Sequence, residues 1–396
     1  MPEVVLKPGH VQPIWLGHPW VYAQAVDRVE GGATAGDQVT VTDPRGNTLG
    51  TGWYSPQSAI VVRIASRSPR VKMDGTWLRR GVARAFEMRR EMGLPTTTTN
   101  GFRLVNSEGD YLPGLVVDLF NDVAVIQLTT IGMHTHRSAV VDAIRSVVDV
   151  SAIIDRTPVR YSKLEGFQPK PGVVWGDKEA AALAFHERGI RYEIPWDLTQ
   201  KTGFYFDQRP LRARVEQLAQ GRDVLDAFCF VGSFAMAAAR GGARSVLAVD
   251  ENLLALQTGA RCAVINELQD RIEFVRQSVR NLVHQKELAH RFDMIILDPP
   301  SMAPTPKALA RSKQAFRHLV AGACRLLRPG GLIVLSACSA AITLEMLTRC
   351  CAAGCTDAGY SATVLERWFQ GSDHPCVAAF SEGLYLKSII VRCETP

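Results

Sequence analysis

Four apolar runs in this 396-residue chain end on a side chain able to do chemistry. Val224-Leu-Asp226, Ser245-Val-Leu-Ala-Val-Asp250 and Met294-Ile-Ile-Leu-Asp298 each close on a carboxylate, and Leu332-Ile-Val-Leu-Ser336 is followed closely by Cys338. In an open α/β sheet, ligands bind beyond the carboxyl ends of the strands, so these four residues are expected along one rim. Ionised carboxylates accept hydrogen bonds from ammonium and hydroxyl groups, and a thiolate is a competent nucleophile. An unperturbed thiol is only a few per cent ionised near neutral pH, so Cys338 needs positive charge or a helix N-terminus nearby.

Asp226 opens the segment Ala227-Phe-Cys-Phe-Val-Gly-Ser-Phe, with a single glycine, Gly232, where a dinucleotide site would carry G-x-G-x-x-G. One glycine is a poor cradle for a pyrophosphate, which disfavours a nicotinamide-dependent oxidoreductase, the competing reading of the same fold class. S-adenosylmethionine carries no phosphate. It needs a close backbone approach, here near Gly232, and acidic groups for its ammonium and ribose hydroxyls. Asp250, 24 residues after Asp226, is the expected ribose ligand. Any one of these aspartates could instead be a helix N-cap, but three in register make that reading weak. Asp298-Pro-Pro-Ser either ends a strand in a plain turn or holds the chain extended where a flat substrate can lie. Cys262, Cys324 and Cys355 fall in helical patterns and are expected as core residues, and the same bland reading stands beside the reactive one for Cys338.

These side chains need a scaffold. After Pro195, buried strands alternate with helical stretches, which predicts a doubly wound, Rossmann-like α/β domain over 194–396. Gln38-Val-Thr-Val-Thr alternates, Asp43-Pro-Arg-Gly-Asn is turn chemistry and Ala59-Ile-Val-Val-Arg-Ile is an apolar run, so residues 1–72 read as a small β-rich domain. Trp77 to Met92 has Leu78, Val82, Ala85 and Phe86 at helical spacing, an amphipathic helix. Leu115-Val-Val-Asp-Leu-Phe, Val123-Ala-Val-Ile-Gln-Leu, a helix over 138–148 and Ala152-Ile-Ile-Asp make an α+β unit, giving a second region of 73–193.

Hydrophobic residues make up 46% of the chain and charged residues 21%, ordinary globular proportions that argue against disorder. No apolar run reaches 18 residues and the N-terminus has no leader-like stretch, so a soluble cytoplasmic protein with no membrane association is expected. The nine cysteines show no paired C-x-x-C spacing, so neither a disulfide framework nor a metal site is expected. The formal charge is +6, and Arg63 to Arg90 concentrates nine Arg or Lys against Asp74 and Glu87. That run is either a phosphate-binding patch or a solvated helix face.

Several segments together resemble the bacterial S-adenosylmethionine-dependent 23S ribosomal RNA cytosine-5 methyltransferases that carry an N-terminal PUA domain and a central EEHEE-type insert. Gly50-Thr-Gly-Trp-Tyr-Ser-Pro-Gln-Ser is similar to their PUA domain, and Asn106-Ser-Glu-Gly-Asp-Tyr-Leu-Pro-Gly-Leu-Val-Val-Asp to the insert. The catalytic domain matches at Gln200-Lys-Thr-Gly-Phe-Tyr-Phe-Asp-Gln-Arg, Asp226-Ala-Phe-Cys-Phe-Val-Gly-Ser-Phe, Asp298-Pro-Pro, Ser336-Ala-Cys-Ser, Asp373-His-Pro and Glu382-Gly-Leu-Tyr-Leu-Lys. The similarity runs nearly end to end.

The resemblance implies that Phe206, Gln208 and Arg209 cover S-adenosylmethionine while Asp226, Phe228, Gly232 and Asp250 line it from below. Ser278 stands where the family usually has an acidic residue facing the adenine amine; a serine can still accept that hydrogen bond. The family usually has Lys and an aromatic residue after Asp-Pro-Pro, where this chain has Ser301 and Met302. Cys338 takes the place of the nucleophile and Asp298 stands between cofactor and base. The expected substrate is an exposed cytosine of 23S ribosomal RNA, which Trp53 and Tyr54 could stack upon unless they simply pack the β core. His374 would either orient the base or be structural, and a homodimer is implied. Two other readings stay open at this point: an inert RNA-binding factor in ribosome assembly, and an N-methyltransferase acting on RNA.

Overall fold

The structure, a computed structural model, describes residues 1–177, 183–195, 198, 202–302 and 308–395. Gln200 and Lys201, at the start of Gln200-Lys-Thr-Gly-Phe, lie outside the described residues. By its internal contacts the chain forms two compact units, one of Met1–Arg188, Pro195–Phe206 and Ser372–Gly383, the other of Gly189–Ile194, Asp207–Gly371 and Leu384–Pro396.

The first unit holds two sheets. Trp20–Tyr22, Ile60–Ser66, Thr48–Tyr54, Gln38–Thr42, Glu3–Leu6 and Val26–Glu30 lie side by side in that order. Val4, Leu6, Val21, Val39, Val41 and Val62 fill their core, the β-branched composition that suits a pleated, half-buried surface. The second sheet runs Gly172–Gly176, Ala152–Asp155, Val123–Leu128, Leu115–Phe120, Gly101–Asn106. Its first and last members were not legible as strands. Gly101–Asn106 carries Arg103 inside the run, and the Asp118 carboxylate on the neighbouring strand, at 2.5 Å, helps make that charge tolerable there.

Helix Gly75–Glu91 opens on Asp74, whose carboxylate accepts the Thr76 and Trp77 N–H groups. Its inner face is Leu78, Gly81, Val82, Ala85 and Arg89, and Arg79, Arg80, Arg84 and Arg90 are exposed. The basic run is therefore split. Arg89 is fully buried against Asp110 at 2.5 and 2.8 Å, and Arg63 pairs with Glu165 at 2.9 Å. Trp53 takes the packing alternative: it is only 4% exposed, wedged edge-on against Trp77 with Gly132 beneath it, and cannot stack on a base. Among the described residues the exposed tryptophan of this unit is Trp15, at 71%.

The second unit is built on a seven-stranded sheet in the order Ile272–Arg276, Ser245–Asp250, Asp223–Ala227, Phe292–Leu297, Leu327–Cys338, Leu386–Glu394, Ser361–Phe369. The first five are parallel and the last two antiparallel to their neighbours. Leu225, Leu247, Ile295, Ile333 and Val391 are buried in its core, which explains the continuous apolar runs of the parallel strands. Cys324, Cys350, Cys351, Cys355 and Cys393 belong to the same core, as expected for the helical cysteines. The fold class read from the sequence stands: a Rossmann-like α/β domain accompanied by β-rich and α+β parts.

Candidate functional site

Register fixes the rim. Ala227 pairs with Leu297 and Val249, and Leu297 pairs with Leu335, so the residues that follow these strands emerge at one edge of the sheet. Asp226, Asp250, Asp298 and Cys338 are thereby brought together at the carboxyl ends, where the sequence put them. The thiol of Cys338 is half-buried and lies 3.9 Å from the Pro299 carbonyl, so the nucleophile candidate borders the Asp298-Pro-Pro turn and is not packed in the core.

The turn after Asp226 is held in an unusual backbone. Phe228, Phe230 and Gly232 have φ of 66°, 52° and 69°, a left-handed region that costs a non-glycine residue energy and that recurs at ligand sites. A Cβ on Gly232 would stand 2.7 Å from the Phe274 ring, so any larger residue would need both a strained φ and a displaced aromatic. Asp226 Oδ2 accepts the Ala235 N–H at the start of helix Ser233–Arg240, and Asp250 accepts the N–H groups of Phe230 and Asn252. The two carboxylates thus brace the turn from both sides.

Asp226 has a second oxygen, Oδ1, buried and without a hydrogen-bond partner, and Gln208 Oε1 is in the same state. Buried acceptors rarely go unsatisfied unless a ligand completes them. The Asp226 carboxyl is raised to about 8, by burial first, with the Ala235 N–H and Arg212 opposing the rise and the negative charges of Asp298 and Asp250 adding to it. A cationic ammonium group with hydroxyl donors is the ligand chemistry that such acceptors fit. The residues present therefore fit S-adenosylmethionine, with the bare Gly232 backbone giving the close approach.

Arg209 begins helix Arg209–Leu218 directly after Gln208, whereas Phe206 belongs to the first unit, in an aromatic cluster with Phe120, Phe185 and Phe204. Ser278 precedes the short helix Val279–Leu282 and is half-buried. His374 is only 2% exposed and its Nδ1 lies 3.1 Å from Asp373, whose other oxygen accepts the Arg103 N–H and whose carbonyl binds Arg89. These contacts give His374 a structural part in the first unit. Two residues went unread in the sequence: Tyr385, whose hydroxyl donates to Asp207 at 2.7 Å, and Lys387, whose ammonium reaches the Ser339 carbonyl at 3.0 Å. Both sit in Glu382-Gly-Leu-Tyr-Leu-Lys, and the family resemblance of that segment was the available signal.

Among the described residues, Cys324, Cys355 and Cys393 have sulfurs within 4.8 Å of one another. The polar partners of these sulfurs are other thiols, inside an apolar core, so thiolates there would have no N–H or cation to support them. The trio is accounted for as thiol packing.

Residues 154–385 match the family described as S-adenosylmethionine-dependent methyltransferase, and residues 4–67 match a PUA-like domain. The chain belongs to the S-adenosylmethionine-dependent methyltransferases. More narrowly, it is 33% identical over 391 residues to the ribosomal RNA large subunit methyltransferase I of Pseudoalteromonas translucida, covering 98% of each chain. It is 35% identical over 397 residues to the protein of that name from Shewanella denitrificans, covering 98% of this chain and 99% of the relative, and it belongs to their family. A structure described as a methyltransferase complexed with SAH superposes with a TM-score of 0.85 at 20% identity, covering 99% of this chain and 100% of that one, which shows the shared fold. No helix among the described residues is long and apolar enough to cross a membrane.

Proposed function

We propose that this protein methylates C5 of a cytosine in 23S ribosomal RNA, in the cytoplasm, through a transient covalent bond from Cys338. The observation that carries the reading is the thiol of Cys338, half-buried and 3.9 Å from the Pro299 carbonyl, at the same strand-end rim as Asp226 and Asp250. Of the other cysteines only Cys376 is half-buried, and its thiol donates to the Phe380 carbonyl at 2.9 Å; the rest are buried.

Asp226, Gln208, Asp250 and the Gly232 backbone hold S-adenosylmethionine, which supplies an electrophilic methyl group. Carbon 5 of cytosine is a weak nucleophile. Cys338 adds as thiolate to C6, which places enamine character on C5, while Asp298 hydrogen-bonds N3 and the exocyclic amine to fix the ring. Transfer of the methyl group to C5 would leave S-adenosylhomocysteine; a base then takes the C5 proton, the C5–H electron pair re-forms the C5–C6 double bond, and the C6–S bond breaks to return Cys338 as thiolate. The target must be unpaired or flipped out for its ring to enter. Exposed Arg79, Arg80, Arg84 and Arg90 offer charge for the phosphates, and exposed Trp15 offers a stacking face.

The test is labelled methyl transfer to 23S ribosomal RNA taken from cells lacking the protein, followed by mapping of the modified nucleotide. Cys338→Ala should abolish transfer and leave S-adenosylmethionine affinity within about twofold. Undiminished turnover would dismiss the covalent route and leave nitrogen methylation. Tight cofactor binding without transfer in the unaltered protein would point to an inert assembly factor.

A further inference from the structure

The covalent route needs a thiolate, and the sequence offers no basic residue beside Cys338. The antiparallel return strand brings one, Lys387, to the carbonyl of the residue after Cys338 from 49 residues away, on the sheet face of Ala337. Leu386–Glu394 runs antiparallel to Leu327–Cys338, with Leu386 opposite Cys338 and Lys387 opposite Ala337. The Lys387 side chain reaches past the strand end, and its ammonium donates to the Ser339 carbonyl at 3.0 Å and the Tyr385 carbonyl at 3.4 Å. The Ser339 carbonyl also accepts the Ile342 N–H, so this hydrogen bond ties down the turn that leaves Cys338.

Lys387 is 6% exposed. Among the described residues it has no carboxylate partner, and its described polar contacts are those two carbonyls. A buried ammonium without a counterion is costly, and proteins keep one where a charge is to be met. We propose that Lys387 is the positioning residue of Cys338: it pins the turn after the nucleophile and supplies the positive charge that favours the thiolate. This rests on the covalent reading above and gives it the missing activation. The thiol proton goes to solvent and the sulfur keeps the electron pair for C6; burial lowers the Lys387 ammonium from its ordinary value, and two carbonyls accept from it.

The charged or titratable groups around that turn pull in opposite directions. Asp298, beside the Pro299 carbonyl that Cys338 touches, opposes ionisation of the thiol. Asp207 accepts the Tyr385 hydroxyl on the near side and adds a second negative group. On the positive side, the buried Arg212 acts on Asp226 at the same rim, and among the described residues Lys387 is the cation that bonds the turn after Cys338 itself. Tyr385 and Lys387 also stand at the start of one strand, so the segment leading to Gln208 and the turn after Cys338 are both held from a single short stretch.

The experiment follows alkylation of Cys338 by iodoacetamide against pH in the full-length protein, read on the Cys338 peptide by mass spectrometry so that the other cysteines do not interfere. Removing a cation at this range should raise the midpoint by about one unit in Lys387→Met, cutting the thiolate fraction at neutral pH roughly tenfold, with methyl transfer reduced at least as much. Lys387→Arg keeps the charge and should keep the profile. Lys387→Gln retains a donor for the Ser339 carbonyl without the charge; it should shift like the methionine variant, and it decides the matter if that variant does not fold. A wild-type alkylation profile in the uncharged variants overturns the proposal. The covalent reading fails differently, by methyl transfer surviving Cys338→Ala, and the alkylation profile reports on Lys387 whichever way that result falls.

Discussion

Asp226 is the residue whose chemistry can be tested most directly. Its carboxyl is raised from 3.8 to about 8, by burial first and then by its two acidic neighbours. A raised carboxyl means that the folded protein holds the proton more tightly than the unfolded chain does. Its contribution to stability is therefore fully present below the unfolded value and is lost as pH climbs towards 8. Asp226→Asn should show a smaller loss of thermal stability between pH 5 and pH 8 than the parent. A cationic ligand reverses the preference and favours the carboxylate. S-adenosylmethionine should accordingly bind more tightly as pH rises from 6 to 7.5, by up to about tenfold per unit, with proton release seen by calorimetry in buffers of different ionisation heat. A flat pH profile in the parent would dispose of the idea that the ammonium meets Asp226. Gly232→Ala, which combines a left-handed backbone with a clash against Phe274, should weaken binding by at least tenfold at any pH.

At the scale of elements, helix Gly75–Glu91 and the segment Ser372–Gly383 are tied within the first unit by one buried guanidinium. Arg89 is fully buried and binds both Asp110 oxygens, the Asp373 carbonyl and the Arg103 carbonyl. A buried ion pair is weak evidence for stability as a whole, but removing one partner strands the other. Arg89→Met should cost about 3–5 kcal/mol in denaturant unfolding, and Arg89→Met with Asp110→Leu should recover part of it. If the single variant were destabilised by less than about 1 kcal/mol, Asp110 would have to be reached by water or another cation. The same element illustrates the limits of charge counting. A run of basic residues reads as one patch, yet a 3.6-residue period turns Arg89 inward and leaves Arg79, Arg80, Arg84 and Arg90 outside.

At the scale of the whole molecule, the proposal that the exposed arginines meet ribosomal RNA phosphates is tested by salt. Replacing Arg79, Arg80, Arg84 and Arg90 by glutamine should weaken RNA binding and flatten the slope of log affinity against log salt, by about 0.7 for each single-strand phosphate that is no longer neutralised. S-adenosylmethionine affinity should not change. Filter binding over a salt series checks both, and an unchanged slope would assign the RNA surface elsewhere.

Much of this protein could be read without coordinates. Parallel strands buried on both faces must be continuous apolar runs, so Asp226, Asp250 and Asp298 announce themselves at their ends, and the glycine count after Asp226 separates a sulfonium cofactor from a dinucleotide. The helix after Asp74 is equally local, because period and cap lie within one stretch of chain. What required the tertiary structure was anything set by partners distant in sequence. Arg103 disguised a strand until Asp118 stood beside it, Trp53 stayed between stacking and packing until Trp77 and Gly132 closed on it, and His374 found its place beside Asp373 in the Arg89 network. Lys387 is the sharpest case. One basic residue in the run Leu386-Lys-Ser-Ile-Ile-Val has no meaning along the chain, and an antiparallel return strand gives it one by setting its ammonium on the residue that follows Cys338. Periodicity and capping are properties of neighbours in sequence. Electrostatic pairing and burial are properties of neighbours in space, which only the folded chain selects.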